Sequence, residues 1–235
     1  MNLKMKSILV LSLFFVIQAS ESTYLGIQLS DYDEVIHWDI LKTEVQFVIL
    51  RAGIGQGVFD SSFEKYYNKC KEIELHVGAY WQSKAINSNE AEQEVKYFMK
   101  RLKGKQLEYP IFFYFDYEPL FKLDSKTIYE LISRINDILA GHPNNYYFAF
   151  YSSKSSLYFN YEDNRRGDSS DEIDCWFLDY NTSQTFKTRY NKTGDPHLYK
   201  ITDNGRLKGK PGDCSLTYNT CNYFERMKNS HKNGY

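Results

Sequence analysis

Short apolar runs alternate with amphipathic segments along most of the chain. The runs are rich in β-branched and aromatic residues, which is typical of buried strands, and they span 24–30, 47–53, 76–82, 110–118 and 146–153. In the segments between them, apolar residues recur at helical spacing. One such stripe, which follows Asn87 and stops before Gly104, contains Ala91, Val95, Phe98 and Leu102. We therefore expect parallel strands joined by helices in right-handed crossovers.

The alternation changes after residue 153. Residues 175–180 and 198–202 still predict strands, but the segments between them are too polar for a buried helix. The pattern favours an α/β fold, a modified TIM-like β/α barrel with an incomplete helical ring. In this barrel about five β/α units precede strands that lack full helices. An open doubly wound sheet is the alternative architecture.

The N-terminal segment predicts export. Residues 1–20 combine Lys4 and Lys6 with the apolar run SILVLSLFFVI and a small-residue end, which is the pattern of a signal peptide. A membrane anchor is the competing interpretation, although polar residues follow the run at once. We expect a single domain over 21–225, a polar tail over 226–235, and a protein that is secreted or lies in the lumen of a secretory, lysosomal or phagosomal compartment.

Composition narrows the class of partner. The formal charge of −1 becomes −3 without the two signal-peptide lysines, so no nucleic-acid-binding surface is predicted, nor any membrane contact once the signal is removed. Four cysteines in an exported chain allow two disulfides, with Cys214–Cys221 as the first choice, and Asn181 and Asn191 begin glycosylation sequons. No cysteine or histidine spacing suggests a metal site. We expect a monomer without cofactor.

A pair of carboxylates provides the strongest chemical signal. Residues 112–119 read FFYFDYEP, with Asp116 and Glu118 two positions apart. Side chains in a strand alternate faces and advance about 3.3 Å per residue, so both carboxylates should share the face of Phe112 and Tyr114, roughly 6.6 Å apart along the backbone. Two like charges in a partly apolar setting favour one acid and one carboxylate. This division suits glycoside hydrolysis, with Glu118 as acid and Asp116 as anion. Alternatively, both side chains cap the strand end and bind water or a lysine.

Aromatic residues near the same strand ends favour a carbohydrate ligand, because flat aromatic faces pack against sugar rings. Singly, each is more often part of a core. The candidates for substrate binding are Tyr80, Trp81, Tyr151, Trp176 and Tyr180.

Successive blocks of the chain resemble glycoside hydrolase family 25, the Chalaropsis-type lysozymes. The blocks include GIQLSDYDEVIHW, FVILRAGIGQGVFDSSFEKYYNKC, YPIFFYFDYE and YYFAFYSSKSSL, in the family's order. The resemblance implies a modified β/α barrel that cleaves the β-1,4 bond between N-acetylmuramic acid and N-acetylglucosamine in bacterial cell-wall polysaccharide. It also implies that Glu118 is the proton donor and that Asp116 assists the substrate's own N-acetyl group.

Two departures from the family's pattern keep a second hypothesis open. Gln28 stands where the first strand usually carries an Asp of the site, and the best register places Ser215 where another Asp is common. Asp116 and Glu118 favour an active secreted muramidase with antibacterial action, in which Gln28 still contacts substrate. Gln28 and Ser215 favour a catalytically impaired protein that binds peptidoglycan or chitin on the same fold.

Overall fold

In the part of the chain that the structure describes, nine strands form one sheet that closes on itself. The computed structural model describes residues 24–143, 146–165, 174–177, 180–190, 198–219, 223–230 and 234. The strands are β1 (Tyr24–Leu29), β2 (Phe47–Ile54), β3 (Val58–Phe59), β4 (His76–Ser83), β5 (Ile111–Phe115), β6 (Phe148–Ser152), β7 (Asp174–Phe177), β8 (Leu198–Gly205) and β9 (Cys214–Asn219). Their order is β1-β9-β8-β7-β6-β5-β4-β2-β3, and a β1–β2 pairing closes a barrel from which β3 is left out. This closure confirms the barrel and excludes the open sheet.

Most neighbouring strands are parallel, as the alternating pattern predicts. Only β9 runs antiparallel within the barrel, against both β1 and β8. The carboxyl ends of the parallel strands therefore lie at one end, which we call the mouth. The opposite end, where these strands begin, is the base.

The helices are α1 (Trp38–Glu44), α2 (Phe63–Glu72), α3 (Ser88–Leu102), α4 (Ser125–Ala140), α5 (Ser156–Asn164), α6 (Tyr180–Tyr190) and α7 (Tyr223–Asn229). Two predicted helix starts are confirmed by their caps. The Asn87 side chain accepts the Glu90 N–H at 3.0 Å, and the Asp124 carboxylate accepts the Thr127 N–H at 2.9 Å. Each cap satisfies a donor that the first helical turn leaves unpaired.

The helical ring extends further than the polarity of the later segments suggests. Helix α5 buries Leu157, Tyr158 and Tyr161 against the barrel. Helix α6 has exposed positions at Asn181, Thr185 and Thr188. A helix that lies mostly in solvent needs no apolar stripe, which is why periodicity did not indicate it.

Two separate clusters of apolar side chains stabilise the barrel. One fills the layer between the strands and the surrounding helices, and it includes Ile27, Leu50, Trp81, Phe98 and Phe113. The other fills the barrel interior with large rings, among them Phe47, Tyr80, Phe112, Tyr151 and Trp176. The barrel is therefore a packed core rather than a pore.

Helix α7 closes the base of the barrel. Tyr223 and Met227 are buried in the interior cluster with Phe47 and Tyr109, whose rings stack at 4.2 Å. Asn219, at the end of β9, donates to the Tyr109 hydroxyl at 2.9 Å. The predicted tail of 226–235 therefore starts too early, because Met227 belongs to the core.

The structure tests the predicted disulfide but not the predicted signal peptide. The signal peptide lies outside the described residues, and within the described part no helix is long and apolar enough to cross a membrane. Cys70 and Cys214 carry free thiols. The predicted Cys214–Cys221 disulfide is therefore not formed, although Cys221 itself lies outside the described residues. Cys214 is buried at the start of β9, and burial raises the pKa of its thiol.

Candidate active site

The predicted carboxylates lie at the mouth of the barrel. Strand β5 ends at Phe115, so Asp116 and Glu118 stand in the loop that follows it, and both are exposed. The strand alternation that was expected to align them ends before it reaches them. Phe112 and Tyr114 do face the barrel interior together, as predicted.

Asp116 is held by two hydroxyl groups. The Tyr114 hydroxyl donates to its Oδ2 at 3.0 Å, and the Ser153 hydroxyl donates to its Oδ1. Tyr114 comes from β5 and Ser153 from the end of β6, so two neighbouring strands fix the carboxylate. With both oxygens accepting hydrogen bonds, Asp116 is oriented as an anion and acceptor.

Glu118 is paired with lysines rather than with hydroxyls. Lys154 Nζ lies 3.3 Å from Glu118 Oε2, and Lys122 Nζ lies 3.8 Å from Oε1. The ammonium of Lys154 also lies 4.3 Å from the centre of the Phe121 ring. This arrangement resembles the alternative interpretation, in which the carboxylate binds a lysine. Ion pairs this exposed are weak, about 1 kcal/mol or less, and open readily when a ligand enters.

The predicted aromatic platform is not present among the side chains that the structure describes. Tyr80, Tyr151 and Trp176 are between 0% and 7% exposed inside the barrel, and Trp81 is fully buried in the outer layer. The Trp81 indole N–H donates to the Gly55 carbonyl at 3.2 Å. Rings packed on both faces offer no surface to a sugar. Tyr180 begins α6, but its side chain lies outside the described residues.

These interior rings instead support the acid pair. Tyr151 stacks on Tyr114 at 4.5 Å and on Trp176 at 4.5 Å. Burial raises the pKa of Tyr114, and the nearby Tyr151 and Asp116 raise it further. Tyr114 therefore stays protonated and remains a hydrogen-bond donor to Asp116.

A half-buried lysine lies at the far end of this stack. The ammonium of Lys200, on β8, lies 5.6 Å from the centre of the Tyr151 ring and contacts both carboxylate oxygens of Asp203 at 2.8 and 2.9 Å. Burial alone would lower the pKa of Lys200, but Tyr151 and Asp203 outweigh it, so that pKa is raised. Lys200 is therefore a permanent cation inside the mouth.

The two positions that depart from the family's pattern face this region. Gln28 is half-buried on β1, in register with the interior residue Ile49 of β2. Ser215, on β9, donates its hydroxyl to Asp203 Oδ1 at 3.1 Å. Asp203 therefore brings a carboxylate next to Ser215, although Lys200 pairs with it.

Asp31 and Asp33, the acids closest to Gln28 in the sequence, form ion pairs with other side chains. Asp31 and Asp60 both bind the Arg51 guanidinium, Asp60 at 2.8 Å, and Asp33 pairs with Lys210 at 3.0 Å. Burial alone would lower the pKa of Arg51, but Tyr80, Asp60 and Asp31 raise it overall. Neither Asp31 nor Asp33 is left to replace a carboxylate at position 28.

Sequence reasoning missed four residues of this site, Tyr114 as a donor, Ser153, Lys200 and Asp203. Tyr114 and Ser153 lie at the carboxyl ends of β5 and β6, and Asp203 lies near that of β8, whereas Lys200 is the third residue of β8. For Tyr114, Ser153 and Asp203, that position is a signal that the sequence offers. Among the described residues, no group of three or more His, Cys, Asp or Glu could hold a metal ion.

Comparison with known proteins identifies the family. The sequence profile of the glycosyl hydrolases family 25 matches residues 27–210. The chain belongs to that family. The match includes Asp116 and Glu118, together with the β5 and β6 residues that hold Asp116. No curated protein sequence matches the chain.

Solved structures share the fold at low identity. The spore cortex lytic enzyme SleM of Clostridium perfringens has a TM-score of 0.69 and 16% identity, over 87% of this chain and 69% of that one. A family 25 glycosyl hydrolase of Bacillus anthracis has a TM-score of 0.68 and 18% identity, over 88% and 92%. At identities this low, the structural similarity establishes the fold alone: this member of family 25 shares the fold of those enzymes.

The modular autolysin LytC of Streptococcus pneumoniae, solved with a synthetic peptidoglycan ligand, is also similar. Its TM-score is 0.66 and its identity is 22%, over 83% of this chain but 46% of the autolysin. This family 25 chain therefore spans less than half of that modular protein.

Proposed function

We propose that the protein is a secreted lysozyme-like glycoside hydrolase. It cleaves the β-1,4 bond between N-acetylmuramic acid and N-acetylglucosamine in bacterial peptidoglycan, and so acts against bacteria. Membership of family 25 supports the class of reaction. The peptidoglycan ligand bound by the similar pneumococcal autolysin supports the substrate.

The observation that carries the proposal is the asymmetry of the carboxylate pair. Asp116 is fixed as an acceptor by Tyr114 and Ser153, whereas Glu118 is exposed and held only by lysines. A fixed anion suits the stabilisation of positive charge at the reacting sugar. An exposed carboxyl in weak ion pairs is accessible for proton transfer to the glycosidic oxygen.

In the proposed reaction, Glu118 donates a proton to the glycosidic oxygen as that bond breaks. Asp116 accepts a hydrogen bond from the N-acetyl nitrogen of the substrate while the N-acetyl oxygen attacks the anomeric carbon. Water then opens the resulting ring, and its proton returns to Glu118. Lys154 must leave Glu118 for this step, which an exposed ion pair permits.

The proposal is tested with Glu118→Gln. This change removes the proton donor, so the rate of wall cleavage should fall by roughly 10² to 10⁴, while binding to insoluble peptidoglycan persists. The rate is measured as the release of muropeptides from purified bacterial walls, identified by mass spectrometry.

Glu130→Gln is the matched control, because Glu130 is an exposed carboxylate on α4 in an ion pair with Lys126. It should retain the parental rate. If Glu118→Gln cleaved walls as fast as the parent, the assignment of Glu118 as the acid would be wrong. If the parent bound walls without cleaving them, the protein would be the sugar-binding relative that Gln28 and Ser215 suggest.

A further inference from the structure

Among the side chains that the structure describes, Tyr32 is the most exposed large aromatic one. It stands in the loop after β1, at the mouth, and 82% of its surface is open to solvent. The other large apolar side chains with high exposure in the described part of the chain are aliphatic, such as Val35 and Val58. An aromatic ring this exposed at the mouth is unusual in a chain that buries Tyr80, Tyr151 and both of its described barrel tryptophans.

The ring of Tyr32 is not loose, because it lies on a fixed guanidinium. The central carbon of Arg51 is 4.7 Å from the centre of the ring. Arg51 is itself 8% exposed and is held by Asp60 and Asp31. The Arg51 guanidinium therefore contacts one face of the Tyr32 ring, and most of the ring stays open to solvent.

The loop that carries Tyr32 is also ordered. Asp33 accepts the Ser30 N–H at 2.8 Å, and the Asp33 N–H donates to the Ser30 carbonyl at 3.0 Å. Lys210 Nζ lies 3.0 Å from the Asp33 carboxylate. A ligand that stacks on Tyr32 therefore meets a preformed surface and bears little ordering cost.

We infer that Tyr32 is a distal sugar-binding platform for the glycan strand on which the acid pair acts. This inference rests on the proposed function and extends it. It takes the place of the four predicted aromatic residues that the structure buries, Tyr80, Trp81, Tyr151 and Trp176. The ligand is a pyranose ring, whose C–H face packs on an aromatic ring as an apolar surface does.

The position of β1 relative to β5 determines which sugar of the glycan strand Tyr32 contacts. Strand β1 is three neighbours from β5, through β2 and β4. Neighbouring strands lie about 4.8 Å apart and tilt by about 36°, so the ring of strands is roughly 15 Å across, and β1 and β5 face each other over roughly 14 Å. Tyr32 therefore contacts a different sugar of the strand from those at the bond that Glu118 cleaves.

This geometry predicts a dependence on glycan length. Removal of the ring in Tyr32→Ala should raise KM for long peptidoglycan glycan strands about tenfold and leave kcat unchanged, because the contact is equal in the ground and transition states. On a MurNAc–GlcNAc disaccharide, which is shorter than the roughly 14 Å that separates β1 from β5, the same variant should behave like the parent. Tyr32→Phe keeps the ring and should retain the parental KM on both substrates.

The test uses steady-state kinetics of the full chain on peptide-free glycan strands, fractionated by length. Val58→Ala is the control, because it removes another exposed apolar side chain, in β3 beside the mouth. Thermal unfolding of Tyr32→Ala should match the parent, since the side chain is mostly in solvent. If the parent hydrolyses these strands and Tyr32→Ala has the parental KM at every length, the platform is refuted. If the parent hydrolyses none of them, the proposed function fails, and Tyr32 is then tested by binding of the same strands to parent and variant.

Discussion

At the scale of single residues, the site depends on how Asp116 is oriented. The Ser153 and Tyr114 hydroxyls hold its two oxygens from separate strands. A hydrogen bond to a charged group contributes about 1.5 to 3 kcal/mol, so either hydroxyl matters for the placement of the anion. The orientation of Asp116 also depends indirectly on Tyr151, because Tyr151 stacks on Tyr114 and so positions the hydroxyl that donates to Asp116.

We predict that Ser153→Ala lowers kcat by roughly 10- to 100-fold with little change in KM. The lost hydrogen bond lets the carboxylate turn away from the reacting sugar, which weakens the transition state more than substrate binding. The measurement is the initial rate of muropeptide release over a range of substrate concentrations. Ser155→Ala is the control, because Ser155 precedes α5 without making a side-chain capping bond. A parental kcat for Ser153→Ala would show that Tyr114 alone is sufficient.

The sequence predicted Asp116 and Glu118 because two acids in an apolar run are a local anomaly. It could not predict Ser153 or Lys200, because their roles depend on neighbours that lie far away along the chain. Serine at a strand end is ordinary, and Lys200 acquires its role only through Tyr151 and Asp203. The sequence also could not show that Tyr80, Trp81, Tyr151 and Trp176 are buried, since composition cannot distinguish a buried ring from an open one.

At the scale of secondary-structure elements, helix α3 is joined to β4 through a buried acid. Glu94 is fully buried, and its carboxyl accepts the Ser83 hydroxyl at 2.6 Å and the Lys84 N–H at 2.9 Å. Sequence periodicity placed α3 and its start correctly, but Glu94 interrupts its apolar face. Burial raises the pKa of Glu94 to about 7, although its hydrogen bonds oppose the rise.

This shift predicts a pH-dependent stability. The pKa of Glu94 in the folded chain exceeds the unfolded value of 4.5, so its bound proton favours the folded state. The stabilisation is complete below about pH 4.5 and is lost as the pH rises through about 7. Glu94→Gln cannot ionise, so it should gain stability relative to the parent over that range, by on the order of 3 kcal/mol.

Denaturant unfolding of both proteins at about pH 4.5 and about pH 8 measures this difference. Glu130→Gln, on the exposed side of α4, should show no comparable change relative to the parent. A constant stability difference between Glu94→Gln and the parent across the range would mean that Glu94 is not the titrating group.

At the scale of the whole molecule, the two ends of the barrel have different roles: the mouth carries the proposed chemistry and the base contributes stability. The acid pair, Lys200 and Tyr32 lie at the mouth, whereas α7 packs Tyr223 and Met227 into the base. The carboxyl ends of barrel strands generally carry chemistry and the opposite ends stability. The barrel itself could be predicted from the alternation of strands and helices. The closing role of α7 could not, because that segment is short, polar in composition and far in sequence from Phe47 and Tyr109.

Met227→Ala should therefore lower stability without changing catalysis. Met227 is fully buried, and truncation of such a side chain leaves a cavity that costs about 2 to 5 kcal/mol of the free energy of unfolding. Denaturant unfolding measures this loss, and kcat and KM per folded molecule are measured under conditions where the variant stays folded. Tyr32→Ala is the converse variant, with KM altered and stability retained. If Met227→Ala raised KM while leaving the free energy of unfolding unchanged, the base would take part in substrate binding, and the division between the two ends would be wrong.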